Sequence, residues 1–362
     1  SYARQRDSTE ARPSRLIAQL AGAPHPLPAE LAAPASNAPA TIPFRDESRV
    51  PFAPGAIAGG AGVLTFQSQC PFKAFATARL AAKGWQAAQA GLTAAQRGQL
   101  IHAVLHAIWA GPPGGIRTLA ELLALADREA FVAAHVHRVL REEIPTGLRE
   151  RLPRRYLELE ETRLIRLVCE WLEYESTRHT FAVSHTEADR RIAVAGLEFT
   201  VRLDRIDQLN DGTLLVIDYK TGSVAPKSWD LPRPDDVQLP LYAGFALDRE
   251  EESLGGLVFA RVQTGERKMA FAGRVFSPGS TLFDGLSGNN ALAKNPLTLD
   301  DLLAWRDYIE QLARDFVAGR AEADPRDYPK TCERCELPAL CRIHESRAMV
   351  AADESDAEAP DE

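Results

Sequence analysis

The chain has 362 residues, 45% of them hydrophobic and 25% charged, with a formal net charge of −8. That is enough for one large domain or two ordinary ones of globular composition. No run of about 18 uncharged apolar residues occurs, which excludes a long apolar membrane-spanning helix. The polar start SYARQRDSTEARPSRL has no signal-peptide apolar region, so a cytoplasmic protein is expected. Six acids lie in the last twelve residues, AADESDAEAPDE, leaving −2 for the remainder. Residues 346–362 read as an acidic disordered tail. A near-neutral body still allows a local basic face, and RERLPRR (149–155) is one candidate.

Residues 1–60, of which 20–60 are rich in Ala, Pro and Gly, read as an N-terminal arm or linker ahead of a domain over 61–345. From Cys70 the pattern is helical through about Lys83. A second helix starts at Thr93, a plausible N-cap, with Leu100, Ile101, Val104, Leu105 and Ile108 at helical spacing. Two amphipathic stretches follow, TLAELLALADREAFVAAHVHRVL and YLELEETRLIRLVCEWLEYE, forming a helical insertion over about 113–180. Near residue 184 the texture changes to three successive strands, with Asn210-Asp211-Gly212 as a hairpin turn. A helix (DDVQLPLYAGFALD), a strand (GGLVFARVQ) and a long helix ended by Gly319 complete the order. The expected fold class is α/β, a mixed central sheet flanked by helices with a helical elaboration.

Asp204 lies on one strand, and Asp218-Tyr219-Lys220 ends the next. Side chains alternate along a strand, so Asp218 and Lys220 share a face, and a hairpin pairing brings Asp204 beside Asp218. Two close carboxylates repel unless a cation sits between them, and hard oxygen ligands suit Mg2+ or Mn2+. A lysine beside such an ion orients water and offsets charge developing on phosphate. A salt-bridged surface strand would carry the same tripeptide.

LEFTVRLDRIDQLNDGTLLVIDYKTG, followed by DVQLPLYA and preceded by RGQLIHAVLH, resembles the RecB-like and AddB-like branch of the PD-(D/E)xK nucleases over roughly residues 63 to 345. The resemblance implies a restriction-endonuclease-like core. It makes Asp204 and Asp218 metal-ligand carboxylates, Lys220 the catalytic lysine and His102 an additional ligand. Gln238 and Tyr242 would line the site, and the Tyr219 carbonyl would be a backbone ligand. Asp207 is expected to face away as an ion-pair partner of Arg205; Glu187, one strand earlier, is a weaker candidate for the site, with a solvated strand face the favoured reading. His106 reads as a half-buried core histidine, since H-x-x-x-H here lacks the glutamate of a metalloprotease. His135 and His137 read as surface or packing residues.

Five cysteines argue against a disulfide framework, and Cys332-x2-Cys335-x5-Cys341 gathers three thiols that want a fourth ligand, for which Cys70 is the obvious supplier. From the chemistry alone, zinc and an iron–sulfur cluster are open alternatives. The family resemblance implies a [4Fe–4S] cluster on Cys70, Cys332, Cys335 and Cys341, a staple closing a loop of roughly 260 residues. Cys169 reads as a buried, unliganded thiol.

The function implied by the resemblance is Mg2+- or Mn2+-dependent hydrolysis of DNA, of exonuclease type, in double-strand-break repair, leaving 5′-phosphate and 3′-hydroxyl ends. The polar N-terminus resembles the segment that joins a helicase-like region to such a nuclease. No Walker A motif occurs, so any unwinding would come from elsewhere, and the resemblance implies a helicase or helicase-like region on the same polypeptide or another. The alternative is a catalytically inactive DNA-binding or scaffolding module with a structural four-cysteine metal site.

Overall fold

A computed structural model describes residues 48–57, 59–85, 89–222, 226–247, 253–263, 269–277, 282–283 and 291–345. It also gives a two-residue antiparallel ladder of Gln5–Arg6 with Thr9–Glu10, within a unit Ser1–Ser48. The rest of the expected arm before residue 48, and the acidic tail, lie outside the described residues. Everything below belongs to the second unit, Arg49–Glu362. Among the described residues no helix is long and apolar enough to cross a membrane.

The frame is a six-stranded mixed sheet. Strands β1 (Gly55–Ala56), β2 (Phe181–Val194), β3 (Leu197–Leu209), β4 (Leu214–Lys220), β5 (Leu254–Arg261) and β6 (Ala270–Val275) run in the order β1-β3-β4-β5-β6, with β2 also on β3. The β2–β3, β3–β4 and β5–β6 pairs are antiparallel, and β4–β5 is parallel. Strand β4 is the near-continuous apolar run LLVID, buried on both faces as a central strand must be. Alternation then sends Leu215, Ile217 and Tyr219 into one core and Val216 into the other. The six-residue β6 was not expected from the sequence.

Helices cover both faces. Against one lie α3 (Ala94–Trp109), α4 (Leu119–Leu123), α5 (Arg128–Glu143), α6 (Thr146–Arg149) and α7 (Arg154–Glu175), whose Ile108, Trp109, Val136 and Trp171 share a core with β4 and β5. Against the other lie α1 (Ala61–Gln69), α2 (Pro71–Ala78), α8 (Gln238–Leu241) and the later α10 (Leu299–Val317), with Leu64, Ala74, Trp305 and Ile309 inside. Thr93 caps α3 as expected: its hydroxyl accepts from Gln96 N at 3.2 Å, and Gln96 Oε1 accepts from Thr93 N at 2.9 Å. Such a box is worth about 1 kcal/mol. The buried face of α3 is the expected Leu100, Ile101, Val104, Leu105 and Ile108.

Two of the expected helices differ in the structure. The first helix begins at Ala61 and breaks at Cys70, which is extended (φ −167, ψ 117), and a new helix starts at Pro71 and ends at Ala78. Proline cannot continue an incoming helix but is preorganised for a first turn. The helix expected over 235–248 is one α-helical turn followed by a single π-helical turn, Tyr242–Ala246. Gly319 does end α10: its φ is +81, and a Cβ there would lie 2.4 Å from Val50 O. Short helices α9 (Ala291–Lys294), α11 (Lys330–Glu333) and α12 (Pro338–Cys341) complete the unit.

Candidate active site

The site forms where β4 ends against the longer β3. Pairing of Arg205 with Ile217 sets a register that, one residue on, puts Asp204 opposite Asp218. On the other side of β3, pairing of Thr186 with Arg205 and Ala188 with Leu203 puts Glu187 opposite Asp204. Residues directly opposite on antiparallel strands present their side chains to one face. Glu187 sits in the left-handed region at φ 48, shortly after a register shift between Val183 and His185. A non-glycine residue held there costs about 1–3 kcal/mol, and such strain clusters at functional sites.

His102 reaches this strand end from α3, with Nδ1 3.3 Å from Asp204 Oδ2. That same oxygen accepts the backbone N–H of Tyr219 at 2.8 Å. His102, Glu187 and Asp204 each offer a ligand atom within 4.8 Å of the others, and among the described residues no other trio of His, Cys, Asp or Glu does so. The structure thus favours the weaker of the two readings of Glu187. It is half-buried at the site rather than on a solvated face, with Arg202 3.5 Å away.

Asp218 and Lys220 point the same way, as alternation requires. Asp218 is 1% exposed, with Lys220 Nζ 2.6 Å from its Oδ2 and Gln238 Nε2 donating to its Oδ1 at 2.6 Å. The lysine contact is close without hydrogen-bond geometry, so Oδ2 of this buried carboxylate accepts no hydrogen bond. Lys220 Nζ donates instead to Gln238 Oε1 at 3.0 Å. Gln238 Nε2 also donates to Tyr242 Oη at 2.9 Å, and Tyr242 Oη donates to Arg202 O at 2.9 Å. One turn of α8, with its i, i+4 spacing, therefore clamps the carboxylate and the lysine together.

The electrostatics are those of crowded acids. Burial, then Asp204, pushes the Asp218 carboxyl up to about 7, with Lys220 pulling the other way. Burial and Asp204 also raise Glu187. Burial opposes the charged form of His102, but the Asp204 carboxylate outweighs it and holds the imidazole above its usual range. Lys220 follows the same pattern with Asp218, so its ammonium is firmly protonated. Two carboxylates and an imidazole within 4.8 Å, beside the buried Asp218 carboxylate, fit a hard divalent cation.

Behind the site lies a buried ionic cluster. Arg205, 0% exposed, makes a two-point contact with Asp207 (2.5 and 2.9 Å) and reaches Glu175 Oε1 at 2.8 Å and Tyr219 Oη at 3.1 Å. Arg178 closes it with contacts to Asp207 at 2.8 Å and Glu175 at 3.4 Å. The Arg205 guanidinium stacks 4.1 Å from the Trp109 ring, and Arg178 4.0 Å from Phe181. Two cations and two anions balance, so burial leaves no net charge. The expected Arg205–Asp207 pair is present; Glu175 and Arg178 carried no signal in the sequence.

A cleft of about 1070 Å³ opens over this strand end, lined by His102, His106, Glu187, Asp204, Tyr219 and Lys220 among others. His106 faces it and shares a 2.9 Å hydrogen bond with Thr186 Oγ1, so it is a cleft residue rather than a core one. Gln238 and Tyr242 line a separate hollow with Asp236 and Arg202, behind Asp218. His135 is buried against Gly114 O and His137 is exposed beside Glu161. In RERLPRR, Arg149 and Arg151 bond backbone carbonyls while Arg154 and Arg155 pair with Glu158.

The cysteines form no disulfide. Cys70, Cys332, Cys335 and Cys341 line one small cavity with Lys73, Pro325 and Ile343, although no three of the sulfurs lie within 4.8 Å of one another. Backbone bonds from Phe72 to Glu322 and from Arg326 to Gln69 stitch the two ends of the domain around it. Cys169 is half-buried rather than buried.

No curated protein matches the sequence. The crystal structure of SSO0001 shares 16% identity over 62% of this chain and 84% of that chain, at a TM-score of 0.28. A protein of Eubacterium rectale named as a candidate exonuclease shares 10% identity over 78% of this chain and 86% of that one, at 0.34. Neither likeness bears on function at such scores. Residues 62–342 match the PD-(D/E)XK nuclease superfamily, a span that covers most of the chain and all of the site built above. The chain belongs to the PD-(D/E)XK nuclease superfamily.

Proposed function

We propose that the chain is a Mg2+- or Mn2+-dependent DNA nuclease of exonuclease type in the RecB/AddB-like branch, acting in double-strand-break repair beside a helicase or helicase-like region. The observation that carries the nuclease reading is the convergence of His102, Glu187 and Asp204 with the Asp218–Lys220 pair at one strand end. His102, Glu187, Asp204 and Asp218 would hold the cation, with the Tyr219 carbonyl beside them. The cation supplies Lewis-acid chemistry, polarising a phosphoryl oxygen and easing deprotonation of water.

The remaining chemistry belongs to the chain. Lys220, held protonated by Asp218, donates rather than accepts: it orients the attacking water and offsets charge building on the phosphate. Gln238 fixes both groups of that pair, and Tyr242 fixes Gln238 against the backbone of β3. Arg205, anchored to Asp207 and Glu175, holds Tyr219 between the two acidic positions.

The same proposal assigns Cys70, Cys332, Cys335 and Cys341 to a structural [4Fe–4S] cluster. A single zinc ion at about 2.3 Å from four thiolates would draw the sulfurs to about 3.8 Å of one another. What supports the assignment is that all four line one cavity between the two ends of the domain. Absorbance near ~400 nm with iron analysis of fresh protein separates the two, because thiolate-bound zinc has no such band.

The test of the nuclease reading is cleavage of labelled linear single- and double-stranded DNA with Mg2+ or Mn2+. Wild type should cut, and Lys220→Ala and Asp218→Ala should lose about 10²- to 10³-fold or more, as when a transition-state donor is removed. Product lengths report end or internal attack. Binding without cleavage by cluster-loaded wild type would sink the enzyme reading in favour of a binding module.

A further inference from the structure

A second groove continues from the catalytic cleft. The two share Leu92, Ala94, Gly98, Thr221 and Gly222, so they form one surface channel. Their charges differ. The cleft carries Glu143, Glu187 and Asp204 against Arg202 and Lys220, whereas the residues lining the groove include Arg97 and Arg163 and no acid.

The two arginines come from different helices and meet on one carboxylate. Glu160, on α7, has a side chain only 3% exposed; Arg97 Nε lies 3.3 Å from its Oε2, and Arg163 binds its Oε1 through Nε at 3.0 Å and a second nitrogen at 2.5 Å. One anion between two cations leaves a surplus positive charge. Arg97 is held from behind by the Tyr156 hydroxyl at 3.2 Å, yet its side chain is 42% exposed, and that of Arg163 is 36% exposed. The pair is thus built in and braced while still presenting guanidinium edges to the groove. Gly98, the next residue, lets α3 approach the end of β4: a Cβ there would sit 3.3 Å from Thr221 Oγ1. This keeps the channel floor low between the arginines and the site.

We propose that Arg97 and Arg163 form a phosphate-binding subsite that holds the backbone of a single nucleic-acid strand on its way to the catalytic cleft. The inference rests on the nuclease reading and names how its substrate is held. Arg97 precedes His102 by five residues on α3, about 7.5 Å along the helix axis. Guanidinium groups match phosphate oxygens in a planar, two-point fashion. The subsite therefore grips the phosphate backbone of the strand beside the cleft, without reading the base.

The test is the salt dependence of binding. The full chain carrying Lys220→Ala, which leaves DNA intact, is titrated with a fluorescein-labelled single-stranded oligonucleotide at rising KCl. Adding Arg97→Gln or Arg163→Gln should weaken binding several-fold at low salt. Each should also reduce the slope of log Kd against log salt by about 0.7, the loss expected for one phosphate contact on a single strand. Arg314→Gln, on α10 across the sheet, should leave the slope unchanged. In the otherwise wild-type enzyme, Arg97→Gln should raise KM with little change in kcat. Arg97→Lys and Arg163→Lys should keep the slope; a fall there too would assign the effect to packing on Glu160 and overturn the subsite. Unchanged slopes in the glutamine variants, with wild-type cleavage intact, overturn the subsite alone. Absence of both binding and cleavage in the parent proteins overturns the subsite together with the nuclease reading.

Discussion

Replacing Glu187 by glutamine should make the metal-free protein more stable and the metal-bound protein less so. Glu187 and Asp204 place carboxylate oxygens within 4.8 Å of each other. Two unit charges at that distance repel by about 3 kcal/mol at an effective dielectric constant of ~20. Glu187 is only half-buried and has Arg202 3.5 Å away, so solvent and that cation leave about 1 kcal/mol of net cost. The sign with pH follows from the raised Glu187 carboxyl. A folded-state pKa above the unfolded one means the charged form is disfavoured by folding, so the cost is absent below the unfolded pKa and complete above the folded one. The gain of Glu187→Gln should therefore be nil near pH ~4 and grow to about 2 °C in Tm by pH ~8 in EDTA. With Mn2+ at about a hundred times Kd the wild type gains about 2.7 kcal/mol and the variant distinctly less, so the order reverses. Differential scanning calorimetry across pH, with and without Mn2+, reads both effects. A variant that melts below wild type in EDTA at pH ~8, or that takes the full Mn2+ shift, would refute the reasoning.

Arg205→Met should cost about 3–5 kcal/mol in urea unfolding, because Asp207 and Glu175 lose a buried counter-ion; a cost below about 1 kcal/mol would show that water reaches the cluster. Gly319→Ala should destabilise by more than about 2 kcal/mol, since φ +81 and the backbone of Val50 both exclude a Cβ, and thermal melts would show it. Cleavage at limiting Mg2+ should rise with pH through about 7, where Asp218 ionises, and saturating Mg2+ should move that limb to lower pH; a limb indifferent to Mg2+ would exclude Asp218 from cation binding. Thr93→Ala should cost about 1 kcal/mol in stability and leave the cleavage chemistry intact once folded.

The β3–β4 hairpin was legible because its signals are local: alternation in LEFTVRL, an apolar run in LLVID and a glycine-bearing turn between them. Asp218 and Lys220 could be placed from alternation and Asp204 from the hairpin pairing, whereas Gln238 and Tyr242 were expected at the site only through the family resemblance. Glu187 stood only as a weaker candidate for a physical reason. Its position depends on a register shift and a left-handed φ in β2, and neither leaves a mark in an ordinary run of polar strand residues. β6 was missed because AFAGRV is short and carries a glycine, and its stability comes from pairing with β5 rather than from its own pattern. The Arg97–Glu160–Arg163 arrangement spans two helices, and nothing in the separate helical periodicities announces that they converge.

The connectivity of the sheet sets an order in which the site can assemble. β2, β3 and β4 are joined by tight turns, so the ladder that gathers Glu187, Asp204 and Asp218 closes short loops at small entropic cost. His102 must dock from a helix far back in the chain, and β5 can pair parallel to β4 only after the crossover through α8 has been laid down. Such distant contacts form slowly. A chain still folding would gather its acids first and receive the imidazole and the Gln238 clamp on Lys220 last. The cation site and the lysine beside it would therefore be complete only in the fully folded chain.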